Sequence, residues 1–450
     1  MSVKKTILVL FALAVAARLA ALVATFPGNE NVTYYDDAKI ALNLVRGQGY
    51  SIDYDYRNWL FYEMFMKHER LQNPIVEGVK PTASKQPAYP LLLALLFVMF
   101  GAGNFLAVFL LHAALAGGTA ILLYISLRRI SPLTGLLGGL SMALYPPFVV
   151  HSVTKPESTT LLLFLVSLFF VCFLRLVERA SIRRWLILGA LSAALALTEP
   201  VTLPFALLSL LYAAYLTWPA RAARSGLVLS GLVFAILLSP WLIRNYVVFD
   251  RFPVMKSVVG VVFNWGLERS GHGTWISDQR LAELEYAGRA SSELEEDEAI
   301  RRELQTLFPS HWKEYVLVNL PLNFRHFWWE VARYSDDTSL TFSLGRKLPY
   351  VFILILALPA LIPWRRGLSQ PPGRAPEAES RIRALALILM ATLTIVYTVF
   401  GAYMSRYRFP AELALLALAS HTMARVATRL MEKLPADFPG KLLLSQERGQ

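Results

Sequence analysis

The chain has 450 residues, of which 55% are hydrophobic and only 17% charged, and its mean hydropathy is +0.45. Soluble domains carry about a quarter charged residues, so this composition excludes a soluble globular protein. The formal net charge is +12, but the basic residues form short clusters between apolar runs. Such clusters are typical of loops that set membrane topology, and we expect no nucleic-acid partner. The single cysteine, Cys172, excludes disulfides and cysteine-based metal sites.

The first apolar run, residues 6–26, follows the basic residues Lys4 and Lys5. This pattern predicts an uncleaved membrane anchor with its N-terminus in the cytoplasm. A long polar and aromatic loop, residues 27–90, comes next and carries the adjacent carboxylates Asp36 and Asp37. Adjacent carboxylates raise each other's pKa and require water or a cation, which is costly beside a bilayer. We therefore predict that this loop builds an active site at the outer face of the membrane.

The later apolar runs alternate with basic connections, as expected for a bundle of membrane helices. The run at 88–101 is too short for an ordinary span and predicts an interfacial or re-entrant helix. Pro200 interrupts the run from 185 to 218, which predicts two short spans joined near Glu199. In total we expect about ten transmembrane helices and two large extracytoplasmic segments, with both termini in the cytoplasm. The predicted spans are 6–26, 104–127, 133–150, 158–176, two within 185–218, 226–243, 348–364, 384–402 and 410–428.

The sequence predicts three regions: 1–246, with the first membrane helices and loop; 247–346, an extracytoplasmic segment; and 347–450, the last helices and a cytoplasmic tail. Within the middle region, the Glu-rich run at 291–303 is interpreted as the solvated face of a helix. The aromatic run at 311–330 predicts an amphipathic helix lying at the membrane interface.

The predicted topology collects charged side chains on the outer side. Arg406 and Arg408 lie in a very short outer turn, against the usual bias of basic residues toward the cytoplasm. A guanidinium group binds phosphate through paired hydrogen bonds, so a lipid phosphate is the natural partner. A nearby carboxylate can then deprotonate an acceptor that attacks an activated sugar carbon, and we expect no metal or other cofactor. The further outer cations and the acidic helix-start residue are Lys85, Arg244 and Glu157.

Each of these residues also has a purely structural explanation. Asp36 and Asp37 can cap a helix that begins at Ala38 and complement its dipole. Arg406 and Arg408 can bind anionic headgroups without specificity. Lys85 can anchor the loop at the membrane interface, and Glu157 can be an ordinary residue at the start of a helix.

Five short motifs, in the same order and on the same predicted side, resemble those of the GT-C superfamily of polyprenyl-phosphate-sugar glycosyltransferases. The resemblance is to the family-39-like branch, which holds protein O-mannosyltransferases and lipid A aminoarabinose transferases. The motifs are DDAKIALNLVRGQGY at 36–50, KQPAYPLLL at 85–93, PE at 156–157, PWLIRNY at 240–246 and RYRFP at 406–410. The family's first-loop motif is often an Asp-Glu pair followed by a tyrosine, whereas this chain has two aspartates preceded by tyrosines.

The resemblance implies a GT-C-like fold, a polyprenyl-phosphate-linked sugar donor and a general base in the first loop. We assign the base to Asp36 first and Asp37 second, with Glu30 as an alternative acidic position. The residues expected to hold the donor phosphate are Lys85, Arg244, Arg406 and Arg408. Those expected to orient the sugar or acceptor are Glu157, Tyr35, Tyr89 and Tyr407.

The sequence thus predicts an inverting glycosyltransferase of the cytoplasmic (inner) membrane, acting on a lipid-linked donor and an acceptor of unknown identity. Two alternatives stay open. A transporter or flippase of the lipid-linked sugar would have repeated halves and charged residues near the middle of the bilayer. An oligosaccharide ligase would move a preassembled chain from a similar carrier.

Overall fold

The computed structural model describes residues 2–29, 32, 36–53, 78–251, 255–267, 275–277, 280–281, 283–284, 292–329, 340–361, 374–401 and 405–433. Within these ranges almost all regular structure is helical, and the sheet consists of two short strands. The first helices and strands are α1 (Val3–Thr25), α2 (Asp36–Val45), β1 (Ser51–Asp53), β2 (Val79–Pro81), α3 (Ala88–Phe100), α4 (Phe105–Leu127), α5 (Pro132–Leu144), α6 (Pro146–Thr154) and α7 (Thr159–Glu178). The remaining helices are α8 (Ile182–Thr198), α9 (Leu203–Thr217), α10 (Arg221–Phe249), α11 (Val259–Leu267), α12 (Glu293–Glu314), α13 (Leu320–Trp329), α14 (Leu340–Leu361), α15 (Arg374–Phe400) and α16 (Phe409–Lys433).

This architecture confirms the predicted all-α polytopic membrane protein. Six of the described helices are long and apolar enough to cross a membrane, and the pair α5–α6, bent by 43° at Tyr145, adds a seventh. These seven coincide with seven of the ten predicted spans. The other three predicted spans also form helices, which are shorter or more polar: α8, α14 and α16. The total of ten spans stays a prediction, and so does the division of the chain into three regions after residues 246 and 346.

The bundle packs through small residues and surrounds one buried helix. A side chain at Gly189 of α8 would collide with the backbone of Ser230 in α10, so glycine is what allows these helices to approach closely. The first half of α16 is buried at every position from Phe409 to His421. A short 3₁₀ turn, Ser405–Arg408, comes directly before α16. Because neighbouring helices enclose the start of α16, this turn lies in the interior of the protein.

Two parts of the first loop are joined by the antiparallel pair β1–β2. Ser51 pairs with Pro81 and Asp53 with Val79. The pair continues in a hydrogen bond from the Thr82 amide to the Tyr50 carbonyl, 3.2 Å. The segment that follows β2 is therefore brought back beside α2, whose first turn carries Asp36 and Asp37.

The interpretation of the acidic run as a solvated helix face is wrong for three of its members. Glu293, Glu296 and Asp297 of α12 are only 2%, 6% and 5% exposed. The Asp297 carboxylate is held inside by a backbone donor, since its Oδ1 accepts from the Val261 amide at 3.0 Å. Apolar side chains of the same helix, Ile300 among them, pack against α11 and carry these carboxylates inside.

Candidate active site

An open cleft of about 620 Å³, its mouth included, lies where the first loop meets one end of the bundle. The C-terminal ends of α8 and α15 and the N-terminal ends of α7 and α16 contribute to its walls. The polar and charged lining residues are Asp37, Lys85, Gln86, Ser158, Thr159, Thr198, Glu199, Lys256, Tyr397, Arg406 and Tyr407. Four of the residues singled out from the sequence are among them: Asp37, Lys85, Arg406 and Tyr407.

Asp37 is the carboxylate of α2 that faces the cleft. It lies in the first turn of α2, where the helix dipole favours an acid, and is 5% exposed. Burial raises the pKa of Asp37 to about 6, although Lys85 and Arg406 act in the opposite direction. Such a carboxyl group is a stronger base than an exposed aspartate and remains ionised at neutral pH.

Lys85 pairs with Asp36 and interacts electrostatically with Asp37, the two neighbouring acids of α2. Its Nζ lies 3.9 Å from Asp36 Oδ2, and Asp36 does not line the cleft. Burial alone would lower the pKa of Lys85, but Asp37 and Asp36 outweigh burial and raise it. Lys85 is therefore a permanent cation at the cleft wall, held next to the candidate base.

Arg406 approaches the cleft from the 3₁₀ turn before α16. Its Nη1 forms an ion pair with Glu157 Oε1, and Glu157 Oε2 lies 3.6 Å from His151 Nε2. Burial opposes ionisation of Glu157, yet Arg406 and then His151 outweigh it and hold the pKa of Glu157 below its usual value. Among the described residues, the buried Arg406 Nε has no hydrogen-bond partner. Arg406 thus has a donor left for a ligand, whereas Glu157 lies behind it and does not line the cleft.

A second ion pair lines another part of the cleft and was not predicted as a site. Lys256 Nζ lies 3.9 Å from Glu199 Oε1, and both side chains are partly exposed. Glu199 ends α8, as the Pro200 interruption predicts, but Lys256 belongs to no motif. Its position comes from hydrogen bonds of the neighbouring residues, in which Gln86 Nε2 and Trp241 Nε1 both donate to the Met255 carbonyl, at 2.8 and 3.1 Å.

Arg244 was expected to hold the donor phosphate, but the structure places it behind the cleft. Its guanidinium donates to the carbonyls of Thr82, at 2.8 Å, and Tyr50, at 2.6 Å. It also lies over the rings of Tyr50 and Trp241, 5.3 and 5.4 Å from their centroids. Arg244 therefore fixes the backbone just before Lys85 and does not line the cleft.

Glu293 holds the same backbone from the other side. Its carboxylate accepts hydrogen bonds from Thr82 Oγ1 at 2.8 Å, from the Ala83 amide and from Ser257 Oγ. One buried acid thus connects α12 to the segments that carry Lys85 and Lys256. No role was predicted for this acid, because a glutamate at the start of a helix is ordinarily solvated.

Arg408, the fourth expected phosphate ligand, lies inside the protein and also does not line the cleft. Its Nε donates to Glu412 Oε1 at 2.7 Å and its Nη1 to the Phe327 carbonyl at 3.1 Å. The guanidinium carbon lies 3.9 Å from the centre of the Tyr350 ring. Glu412 Oε2 in turn accepts from the Tyr145 hydroxyl at 2.8 Å. These contacts describe a buried network that anchors the turn carrying Arg406.

We predict that Arg408→Met lowers the free energy of unfolding by about 3–5 kcal/mol, because it leaves the buried Glu412 carboxylate without its cation. Unfolding in detergent, followed by tryptophan fluorescence, measures this loss. The matched control is Arg302→Met, whose partner Glu298 lies on the surface of α12 with Arg302 69% exposed. Equal stability of the two variants would contradict the buried network.

The remaining predicted residues divide into three groups. Tyr407 lines the cleft and stacks on Tyr397, with ring centroids 4.9 Å apart. Tyr89 is buried away from the lining, and its hydroxyl contacts His112 Nε2 at 2.9 Å. Because His112 Nδ1 faces the Ser152 carbonyl, which can only accept, Nε2 of the neutral imidazole accepts from the Tyr89 hydroxyl. Tyr35 and Glu30 lie outside the described residues.

Next to the first loop, the cleft therefore combines the buried carboxylate of Asp37, whose pKa is raised, with the cations Lys85 and Arg406. Asp36 pairs with Lys85, and Glu157 pairs with Arg406. This arrangement can accept a proton at Asp37 and bind an anion between Lys85 and Arg406. Among the described residues, no group of three His, Cys, Asp or Glu side chains is placed to hold a metal ion.

Part of the chain matches a known protein family. Residues 80–243 match the family described as dolichyl-phosphate-mannose-protein mannosyltransferase. The matched region includes Lys85, Gln86, Glu157 and Glu199, whereas Asp37, Lys256 and Arg406 lie outside it. No curated protein matches the chain. The match covers about a third of the chain, and over these residues the chain is similar to a family of membrane glycosyltransferases.

Proposed function

We propose that this protein is a GT-C-type membrane glycosyltransferase, and that it transfers a sugar from a polyprenyl-phosphate donor to an acceptor on the extracytoplasmic side of the membrane. One observation carries the proposal: the cleft brings Asp37 together with the cations Lys85 and Arg406. The family match implies a lipid-linked sugar donor, and a phosphoester between these cations is the chemistry that the cleft fits best.

The donor phosphate would lie between Lys85 and Arg406. A buried guanidinium nitrogen without a partner requires an acceptor, and a phosphate oxygen supplies one. Glu157 pairs with Nη1 of Arg406 and keeps that side chain in place, so Glu157 acts as a positioning residue for phosphate binding. Arg244 and Glu293 have the same role for Lys85, because they bind the Thr82 carbonyl and the Ala83 amide, which belong to one peptide unit just before Lys85.

Asp37 would act as the general base for the transfer. It removes the proton from an acceptor hydroxyl or amine as the acceptor atom bonds to the anomeric carbon of the sugar. The bond from that carbon to the phosphate oxygen breaks, and the lipid phosphate leaves with both electrons, stabilised by Lys85 and Arg406. A direct displacement of this kind inverts the anomeric configuration.

The distribution of basic residues supports an extracytoplasmic cleft. α7 begins at the cleft and ends at Glu178 near Arg175 and Arg179, while α8 begins with Arg183 and Arg184 and ends at the cleft. These arginines therefore lie at the far end of the bundle, where the positive-inside rule predicts the cytoplasm. On the same basis, we propose that the protein lies in the inner membrane with both termini in the cytoplasm.

Reconstituted protein should transfer radiolabelled sugar from a polyprenyl-phosphate hexose to a co-supplied acceptor extract, with inversion at the anomeric carbon. Movement of the intact lipid-linked sugar across the liposome without transfer would favour the transporter instead. Transfer of preassembled chains, with none of single sugars, would favour the ligase. Either result overturns the proposal.

The same assay run at several pH values tests the assignment of the base. Burial raises the pKa of Asp37 to about 6, so kcat/KM should fall as pH drops through about 6 and the base becomes protonated. Lys85→Met removes a charge that lowers this pKa, and the acid limb of the surviving activity should therefore move to higher pH. A limb that stays in place in Lys85→Met would contradict the coupling of Asp37 to Lys85.

A further inference from the structure

The buried side chain of Gln86 carries a hydrogen-bond acceptor that has no donor among the described residues. Gln86 is 4% exposed and lines the cleft beside Lys85. Its Nε2 donates to the Met255 carbonyl at 2.8 Å, whereas within the described parts of the chain its buried Oε1 has no hydrogen-bond partner. A buried acceptor left in this state is costly, so it calls for a donor, which water or a ligand bound in the cleft can supply.

The orientation of the Gln86 amide follows from its neighbour. The Met255 carbonyl can only accept, so the amide nitrogen must face it and the amide oxygen must face away. Gln86 thus has an acceptor and Arg406 a donor without a partner among the described residues, and both residues line the same cleft. These two groups call for different parts of one ligand: a phosphate oxygen at Arg406 and a hydroxyl or N–H group at Gln86.

The ion pair Lys256–Glu199 completes the surroundings of Gln86. Lys256 follows directly on Met255, and its Nζ lies 3.9 Å from Glu199 Oε1. The backbone of Glu199 is fixed on both sides, because its amide donates to Leu195 O at 2.8 Å and its carbonyl accepts from Thr202 Oγ1 at 2.7 Å. The pair therefore presents carboxylate acceptors and ammonium donors with no net charge.

We propose that Gln86, Glu199 and Lys256 form a subsite that binds hydroxyl groups of an uncharged sugar. This inference rests on the proposed function and specifies the class of sugar that the cleft accepts. A hydroxyl group can donate to Gln86 Oε1 or Glu199 and accept from Lys256 without disturbing the pair. A uronic acid meets repulsion from Glu199, and an amino sugar meets repulsion from Lys256, unless the ion pair breaks.

The test measures dissociation constants by calorimetry in detergent for five probes: one short-chain prenyl phosphate and its mannosyl, glucosyl, glucuronosyl and glucosaminyl derivatives. Wild-type protein should bind at least one of the neutral derivatives more tightly than both charged ones. Gln86→Met should weaken that neutral derivative about tenfold, the loss expected for one hydrogen bond to a buried acceptor, and leave prenyl phosphate unchanged. Gln48→Met, the same substitution at an exposed position of the first loop, should change neither.

Substitutions in the Glu199–Lys256 ion pair should each improve the binding of one charged derivative. A variant that only disrupts the structure of the site would weaken the binding of every probe instead. Glu199→Gln leaves Lys256 unpaired and should improve binding of the glucuronosyl derivative. Lys256→Met leaves Glu199 unpaired and should improve binding of the glucosaminyl derivative. The subsite is overturned if all variants weaken every probe equally, if none changes sugar binding, or if wild-type protein prefers a charged sugar. Wild-type protein that binds none of the five probes contradicts the proposed function itself, and the subsite with it.

Discussion

Asp37→Asn should lower kcat by about 10²–10⁴-fold, the range that a positioned general base contributes, while donor binding stays close to that of wild type. The reason is that asparagine preserves the shape of the side chain in the first turn of α2 but accepts no proton. The acid limb of the pH profile near pH 6, which Asp37 sets, should also disappear from any residual activity. Initial rates and donor dissociation constants, measured on the same preparations, provide both readouts.

The matched control is Asp36→Asn, one position earlier in the same helix turn. Asp36 is 23% exposed, pairs with Lys85 and does not line the cleft. A partly exposed ion pair contributes up to about 1 kcal/mol, so this variant should lose no more than about fivefold in kcat/KM. Loss of activity in Asp36→Asn with wild-type turnover in Asp37→Asn would return the base to the position that the sequence placed first.

Arg406→Met should damage stability and activity together, and a second substitution should separate the two effects. Loss of Arg406 leaves the carboxylate of Glu157, 4% exposed, without its main cation, which costs about 3–5 kcal/mol of stability for a buried pair. It also removes a donor from the leaving phosphate, and kcat/KM should fall by about 10²–10³-fold. The double variant Arg406→Met/Glu157→Gln should regain much of the stability and none of the turnover.

Thermal unfolding and transfer rates measured on both single variants and the double variant complete this cycle. Arg129→Met is a suitable control, because Arg129 also pairs with a glutamate, Glu178, but follows α4 away from the cleft. It should leave turnover unchanged. Recovery of turnover in the double variant would show that Arg406 serves only to neutralise Glu157.

The sequence predicted the helices better than the roles of the cations. Apolar length and proline interruptions are local properties, so α1, α7 and the break at Pro200 followed directly from them. Arg244, Arg406 and Arg408 looked alike as basic residues of a predicted outer surface. Their roles diverge because backbone carbonyls and Glu412 occupy two of the guanidinium groups, which only the tertiary fold determines.

The residues that the sequence missed share one feature: distant segments bring them to the cleft. Lys256 follows α10 in a stretch without a motif, and Gln86 Nε2 bonds to a carbonyl 169 residues away. Glu293 looked like a solvated acid, yet it connects α12 to the first loop. Pairings of this kind leave no periodic pattern in the chain, because each depends on one contact between remote positions.

A structure of the protein in a lipid nanodisc with bound polyprenyl phosphate tests the central claim most directly. We predict phosphate oxygens at hydrogen-bond distance, about 2.7–3.2 Å, from Arg406 Nε and Lys85 Nζ, with Asp37 facing the space where the sugar is attached. A phosphate bound outside this cleft, with Lys85 and Arg406 keeping only their present partners, would contradict it.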